Sequence, residues 1–477
     1  MRFEFLNRAA EVQASSWQAE EQSLLWHYNL HYFDHLNALN NPHSPAAEAE
    51  LIRAWWQVHQ PQQGVAWEPY PASLRAVNLC KWGWAHNAQF AHIAADEWLA
   101  LLDRHYQEVK RKLEYHIQAN HLFANLKALW FLQAALPDYR AKEAGWLCRL
   151  LLQELRMQFD ADGGHFELSP MYHRIMLWDV LDMLKIGREV AEFRPALAAM
   201  EELLPSAVRW MKALAHPDTE VAFFNDACTG IAPKLAELLD YATQLDTREL
   251  PVHNDLYSGY AVARLGKATL LCDAAEVGPD FQPGHAHADS LSFELSIGQQ
   301  RVVVNSGTSE YGASQERLRQ RGTAAHSTLC LADKNSSDVW SGFRVGKQAR
   351  IIERSLKHDA EQFCLAASHN GYAPAIHSRR WQLSRGQLKI EDELAEGEQK
   401  QSRLYFHPDV QVELLDNNAV RLQWAEGSAQ LEIDCPGAQI QLQKSSWHPA
   451  FNTCIENLCL VVDFTGEHCR MVMEWEE

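Results

Sequence analysis

The sequence predicts a two-part chain, α-helical over residues 1–250 and β over residues 251–477. Three observations carry that prediction: helical spacing of apolar residues in the first part, strict alternation in the second, and a polar stretch between them. In the first part, "HLFANLKALWFLQAAL" from His121, "WLCRLLLQELRMQF" from Trp146 and "IMLWDVLDMLKIGREV" from Ile175 repeat apolar residues at three- and four-residue steps. Pro and Gly punctuate the ends, as in "LPDY" and "DADGG". About eight to ten such segments, with no alternating pattern between them, predict helical hairpins stacked in a ring or solenoid. In the second part, "SGYAVARLGKATLLCDAAE", "LSFELSIGQQRVVVNSG" and "RRWQLSRGQLKIEDEL" alternate apolar and polar residues around Gly-containing turns. Repeated hairpins of this kind predict an antiparallel sandwich. "TQLDTRELPVHNDLYSG", from Thr243, has the composition of an interdomain linker.

Composition narrows the function classes. A chain of 477 residues is too long for one ordinary core, and 47% hydrophobic with 22% charged residues describes a folded globular protein. A formal net charge of -19 argues against non-specific nucleic-acid binding, which needs a basic surface. It leaves room for an acidic substrate, because a local basic cleft overrides the average field. "MRFEFLNRAAEVQASSW" has no apolar core of signal-peptide length, and no uncharged apolar run is long enough to span a bilayer. The ten cysteines lack Cys-x-x-Cys spacing and are expected to be reduced. The expected location is cytoplasmic, or periplasmic or secreted if a leader precedes this sequence. Of 17 tryptophans, 12 lie before residue 250, either as helical core or as platforms for pyranose rings.

Chemistry concentrates in a few stretches. "GHAHADSLSFEL", from Gly284, packs two histidines and an aspartate ahead of an alternating run. On extended backbone, a spacing of two puts His285 and His287 on one face, suited to a metal, to acid/base work, or to an ordinary polar turn. "VVVNSGTSEYG" ends a strand at Asn305, and "RGTAAHSTL" supplies His326 before another. One neutral imidazole from each of two segments, with an oxygen ligand between them, suits zinc. "QANHLFANLKAL" sets Asn120 and His121 at a helix start, where free backbone N–H groups attract an anion or where Asn120 is simply a cap. "DGGHFELSPMYHRIML" sets Tyr172, His173 and Arg174 just after a proline. These helix starts and the histidine-rich segment are expected to face one cleft. Glu68, Glu167 and Asp226 lie in polar contexts without forming an evident acid pair for glycoside hydrolysis.

These stretches, together with "LLWHYNLHYFDHL" and "WEPYPASLRAVNLCKW", resemble the heparinase II/III-like polysaccharide lyases. The likeness runs in motif order from near Gln22 to near Arg350 and is strongest to short members encoded with capsule or exopolysaccharide biosynthesis genes. It implies an incomplete (α/α) toroid followed by an antiparallel β-sandwich, and β-elimination of a polysaccharide containing uronic acid. That chemistry needs the uronate carboxylate neutralised, because charge moves onto it as the C5 proton leaves. It also needs a base for C5 and an acid for the C4 oxygen, and a tyrosine serves both if its neighbours favour the phenolate.

By this resemblance Asn120 would bind the carboxylate with His121, which is also a base candidate. Tyr172 would be the main acid/base residue, and His285 would neutralise the carboxylate or act as the second acid/base group. His287, Asn305 and His326 would hold a structural zinc. Relatives have aspartate where Asn305 stands, and a neutral amide is a weaker ligand. Without metal these three would form a hydrogen-bonded strut behind His285. Arg75, His173, Arg174 and Arg321 would contact the acidic polysaccharide. Arg317 and Arg319 are either further contacts or solvated loop, and Tyr311 and Trp340 are weaker stacking candidates. Two other readings compete: a non-catalytic or weakly catalytic glycan-binding factor in polysaccharide assembly, and a metal-dependent hydrolase using His285, His287 and a bound water.

Overall fold

A computed structural model describes residues 1–59, 63–87, 91–332, 334–395, 397, 399–415, 418–435 and 437–477. The chain divides into two compact units. One comprises Met1–Gln158 with Trp178–Leu204, and the other Phe159–Leu177 with Pro205–Glu477.

The helical periodicity resolves into α-helices whose starts follow local chemistry. Ser44 caps Pro45–Val58 by accepting from the Ala47 N–H, and proline occupies the first turn, where its missing donor costs nothing. The helix Ala119–Ala135 is buried along nearly its whole length, as expected of a central helix apolar all round. It packs against Pro69–Trp82, Ala95–Arg111 and Pro137–Gln158. One element escaped the periodicity reading. Arg2–Phe5 and Arg8–Glu11 pair antiparallel, closed by Leu6 and Asn7 at φ 55° and 59°. A primed two-residue turn with leucine in a left-handed conformation carries no turn signature. Phe3 and Phe5 secure this hairpin against Trp17 and Trp26, with ring centroids 6.3 and 5.2 Å apart.

Among the described residues the β part forms two large antiparallel sheets, of eight and nine strands, besides a two-stranded hairpin. The first runs, in spatial order, Ile351–His358, Gln362–His369, His377–Ser384, Gln387–Glu393, His468–Trp475, Gly427–Asp434, Ala419–Trp424 and Gln411–Leu414. The second runs Gln439–Trp447, Ile455–Phe464, Lys400–Phe406, Gln300–Val304, Phe293–Ile297, Ala268–Asp273, Tyr260–Leu265 and Asp255–Tyr257, with Leu329–Leu331 added beside Lys400–Phe406. Side chains from both sheets share one core, including Phe293, Leu295 and Leu404 from the second and Trp381, Ile390 and Met471 from the first. This is the sandwich the alternation predicts. A short helix, Gln315–Arg321, interrupts the strands and was not visible as periodicity. Among the described residues no helix is long and apolar enough to cross a membrane.

Candidate active site

The site is built in the second unit on the start of helix Pro170–Gly187 and three loops. Ser169 accepts from the Tyr172 N–H at 3.1 Å and donates its hydroxyl proton to the Asp226 carbonyl at 2.5 Å. It therefore caps the helix and ties its first turn to the loop carrying Asn225 and Asp226. Leu168 and Asn225 both hold left-handed backbone, at φ 58° and 55°. Such conformations cost about 1 kcal/mol or more and persist only where surroundings enforce them. Here the Leu168 carbonyl accepts from Tyr260 Oη at 2.6 Å and Asn225 Nδ2 at 3.1 Å.

Tyr172 and His285 meet on this frame. Their rings stack, with centroids 3.8 Å apart and planes 16° from parallel. His285 Nδ1 lies 2.8 Å from Glu167 Oε1, so the carboxylate holds that nitrogen and leaves Nε2 for another partner. The Tyr172 hydroxyl is 2.9 Å from that of Tyr311. Burial, and then charge on Tyr172, push the Tyr311 phenol well above its ordinary value. Tyr311 therefore resists ionisation, and its hydroxyl is placed to share a hydrogen bond with that of Tyr172 in either direction. The Arg317 guanidinium sits over the Tyr311 ring, 5.0 Å from its centroid, and couples electrostatically to both phenols.

Behind this pair lies a buried charge network. Arg317 grips Asp226 with both guanidinium nitrogens, one at 2.6 Å, and His287 Nε2 lies 2.8 Å from the same carboxylate. Burial alone would raise the Asp226 carboxyl, but Arg317 and His287 outweigh it and hold the group far below the usual carboxylate range. Burial lowers His287, only partly offset by Asp226, and lowers His326 to about 4, so both imidazoles are neutral at ordinary pH.

The segment around His285 and His287 is irregular rather than extended, and the strand starts only at Phe293. The two imidazoles therefore part: His285 reaches Glu167 and Tyr172, and His287 reaches Asp226. His287, Asp289 and His326 each offer a ligand atom within 4.8 Å of the others. His287 Nδ1 and both ring nitrogens of His326 lack a hydrogen-bond partner of normal geometry. A buried orphan costs about 1–3 kcal/mol, and a cation held here would engage His287 Nδ1 and one of the two His326 nitrogens. Two neutral imidazoles and one carboxylate suit zinc, and Asp226 would be the outer carboxylate orienting His287. The donor set differs from the expected one. The Asn305 amide is spent on Ser292 Oγ at 3.3 Å and the Ser327 N–H at 3.1 Å. Asp289 is the carboxylate grouped with the two imidazoles.

The residues expected to touch substrate are buried. Arg75 donates to His105 Nε2 at 2.9 Å and the His31 carbonyl at 3.0 Å, and lies 4.0 Å over Trp55. His173 bonds the Ala207 carbonyl at 2.9 Å, and Arg174 donates to that of Thr219 at 2.8 Å. Arg321 donates to the Ala286 carbonyl through Nε and Nη2 at 3.1 and 3.0 Å. These four hold backbone in place rather than reach outward. Asn120 and His121 belong to the first unit, on the first turn of Ala119–Ala135. Asn120 is buried and hydrogen-bonded to Tyr70, and His121 lies 3.1 Å from Glu114 with its ring tilted against that of Tyr70, centroids 4.4 Å apart. Glu167, Asp226, Asp289 and Tyr311 acquire roles that spacing did not reveal.

Fold and site define a helical protein with a β-sandwich that carries a tyrosine–histidine centre beside a buried histidine–aspartate cluster. The chain belongs to the heparinase II/III-like family: residues 3–245 match "Heparinase II/III N-terminus" and residues 248–476 match "Heparinase II/III-like, C-terminal". It is 26% identical over 251 residues to a heparin-sulfate lyase of Bacteroides stercoris, an alignment spanning 46% of this chain and 37% of that relative. Among solved structures it resembles heparinase III (TM-score 0.79, 16% identity, 96% of this chain and 78% of that one). It also resembles the heparan sulfate lyase HepC of Pedobacter heparinus (TM-score 0.69, 16% identity, 98% and 78%). The fold is the incomplete (α/α) toroid with antiparallel sandwich of those structures.

Proposed function

We propose that this protein is a polysaccharide lyase that cleaves a uronic-acid-containing polysaccharide by β-elimination. The observation carrying the reading is the stacked Tyr172–His285 pair, with Glu167 on the imidazole and Tyr311 on the phenol. Once Tyr172 is ionised, the Tyr311 hydroxyl 2.9 Å away can only donate to it, and Arg317 adds positive potential, so both favour the phenolate. The phenolate takes the C5 proton. The electron pair of the broken C5–H bond forms the C4–C5 double bond as the C4–oxygen bond breaks. The leaving oxygen keeps that bond's electrons and receives a proton from the Tyr172 phenol. His285 presents Nε2 to the uronate, either meeting the carboxylate in its doubly protonated form or moving the second proton. For Asn120 and His121 a carboxylate-binding role rests on the family resemblance alone.

Incubating the purified protein with a panel of acidic bacterial and animal glycans tests this reading. Elimination produces an unsaturated uronate that absorbs in the near ultraviolet. Absence of that signal with every uronate in the panel counts against it. The reading includes a reducing location, supported by ten free cysteines of which Cys454 is exposed.

Tyr311→Phe removes the donor to the phenolate. Loss of a hydrogen bond to a charged group is worth about 1.5 kcal/mol or more, so kcat/KM is expected to fall about tenfold at neutral pH. Because the phenolate then forms less readily, the rising limb of the pH–rate profile moves to higher pH. An unmoved profile removes Tyr311 from the mechanism.

The reading also places a divalent metal, of zinc type, on His287, Asp289 and His326. An ion held there would tie the His285–Asp289 loop to the segment before Leu329, a structural rather than a proton-moving role. Elemental analysis is expected to find metal in the wild type and none in His326→Ala, and a chelator is expected to lower Tm of the wild type alone. Metal-free wild type, or a chelator without effect, contradicts this placement.

A further inference from the structure

A small hairpin beside the site has no evident structural reason for its exposed surface. Val339–Trp340 pairs with Arg344–Val345 across the turn Ser341–Phe343. Trp340 is 57% exposed and Phe343 42% exposed. Two residues per strand do not form a stable hairpin alone. This one is held from behind, since Arg317 Nε donates to the Gly342 carbonyl at 3.1 Å and Arg321 Nη1 to that of Ser341 at 3.2 Å. Both arginines are fully buried. Gly342 approaches so closely that a Cβ there would lie 2.5 Å from the Gly312 carbonyl oxygen. The turn is thus pinned against the segment carrying Tyr311, by the same Arg317 that grips Asp226.

The register sorts the side chains. Val339 faces Val345, and Val345 packs inward on Val277, Ala286 and Ala349. Trp340 faces Arg344, so the two share the opposite face. Arg344 is exposed and makes no ion pair among the described residues. Phe343 continues this surface to the centre, its ring edge-on to Tyr311 at 5.2 Å and to His285 at 6.3 Å.

We propose that the hairpin Val339–Val345 is a sugar-binding platform for the acidic polysaccharide, with Trp340 stacking on a pyranose ring and Arg344 meeting a neighbouring carboxylate or sulfate. The inference rests on the lyase reading for the identity of its occupant. Two observations favour that occupant: an aromatic face beside a guanidinium that makes no ion pair among the described residues, and the continuity of that face with the catalytic pair.

Affinity electrophoresis in native gels tests it without needing turnover. The gels contain heparan sulfate, alginate or a neutral glucan, and the proteins are the wild type, Trp340→Ala and Arg344→Gln. The wild type is expected to be retarded by at least one uronate glycan and not by the glucan. Both exposed-residue variants are expected to bind that glycan about fivefold to tenfold more weakly, as loss of one stacking or charge-assisted contact predicts. Unchanged Tm in both variants excludes misfolding. Equal retardation of all three proteins overturns the platform, as does a wild type that no uronate glycan retards. Retardation that depends on Trp340 and Arg344 without an unsaturated product upholds the platform and overturns the lyase reading.

Discussion

Tyr172→Phe is expected to lower lyase turnover by about a thousandfold or more, the scale lost with a group that moves protons at two steps. The substitution removes one oxygen and keeps the ring. The stack on His285 and the Ser169 cap on the helix start both survive, because neither uses the hydroxyl. Tyr311 loses one partner, a cost of about 1 kcal/mol. Circular dichroism and Tm are therefore expected to match the wild type closely, while the ultraviolet signal disappears. Wild-type rates in the variant would remove Tyr172 from the mechanism.

Asp226→Asn is expected to be the most destabilising single change at the site. The carboxylate is fully buried and balances Arg317, while also accepting from His287 and Thr308. The amide keeps the shape and removes the charge, leaving a buried guanidinium uncompensated at a cost of about 3–5 kcal/mol. The pH dependence has a definite sign. The folded-state carboxyl titrates far below its unfolded value of about 4, so its stabilisation is complete above that value and is lost as pH falls beneath it. The gap between wild type and variant should be widest at neutral pH and narrow in acid. Denaturant unfolding across that range measures it, and equal stabilities at neutral pH contradict the assignment.

Much of this architecture is legible in the sequence because burial imposes a period. Helices and strands repeat apolar residues at different steps, and the change near residue 250 separates them. Helix starts are legible where a cap is local, as at Ser169–Pro170. The Arg2–Glu11 hairpin was not, because its turn uses leucine and its anchors, Trp17 and Trp26, lie outside it.

The site is legible in part for the same reason. His285 and Tyr172 stand out through the residues around them, but what completes each comes from elsewhere in the chain. Glu167 and Tyr311 carry no local mark, since only folding brings them to the imidazole and the phenol. The substrate arginines misled because a charged side chain in a polar stretch reads as exposed. Arg75, Arg174 and Arg321 instead meet the carbonyls of His31, Thr219 and Ala286. Asn305 has its amide engaged by Ser292 and Ser327. In space, the carboxylate near His287 and His326 is that of Asp289.

The masses of the cleavage products test the central claim most directly. A uronate oligosaccharide of known mass is cut once by the protein, and both fragments are weighed. Elimination adds nothing, so the two masses should sum to that of the parent, with the double bond on the fragment carrying the new non-reducing end. Fragments that together exceed the parent by one water would mean hydrolysis and contradict the Tyr172–His285 account.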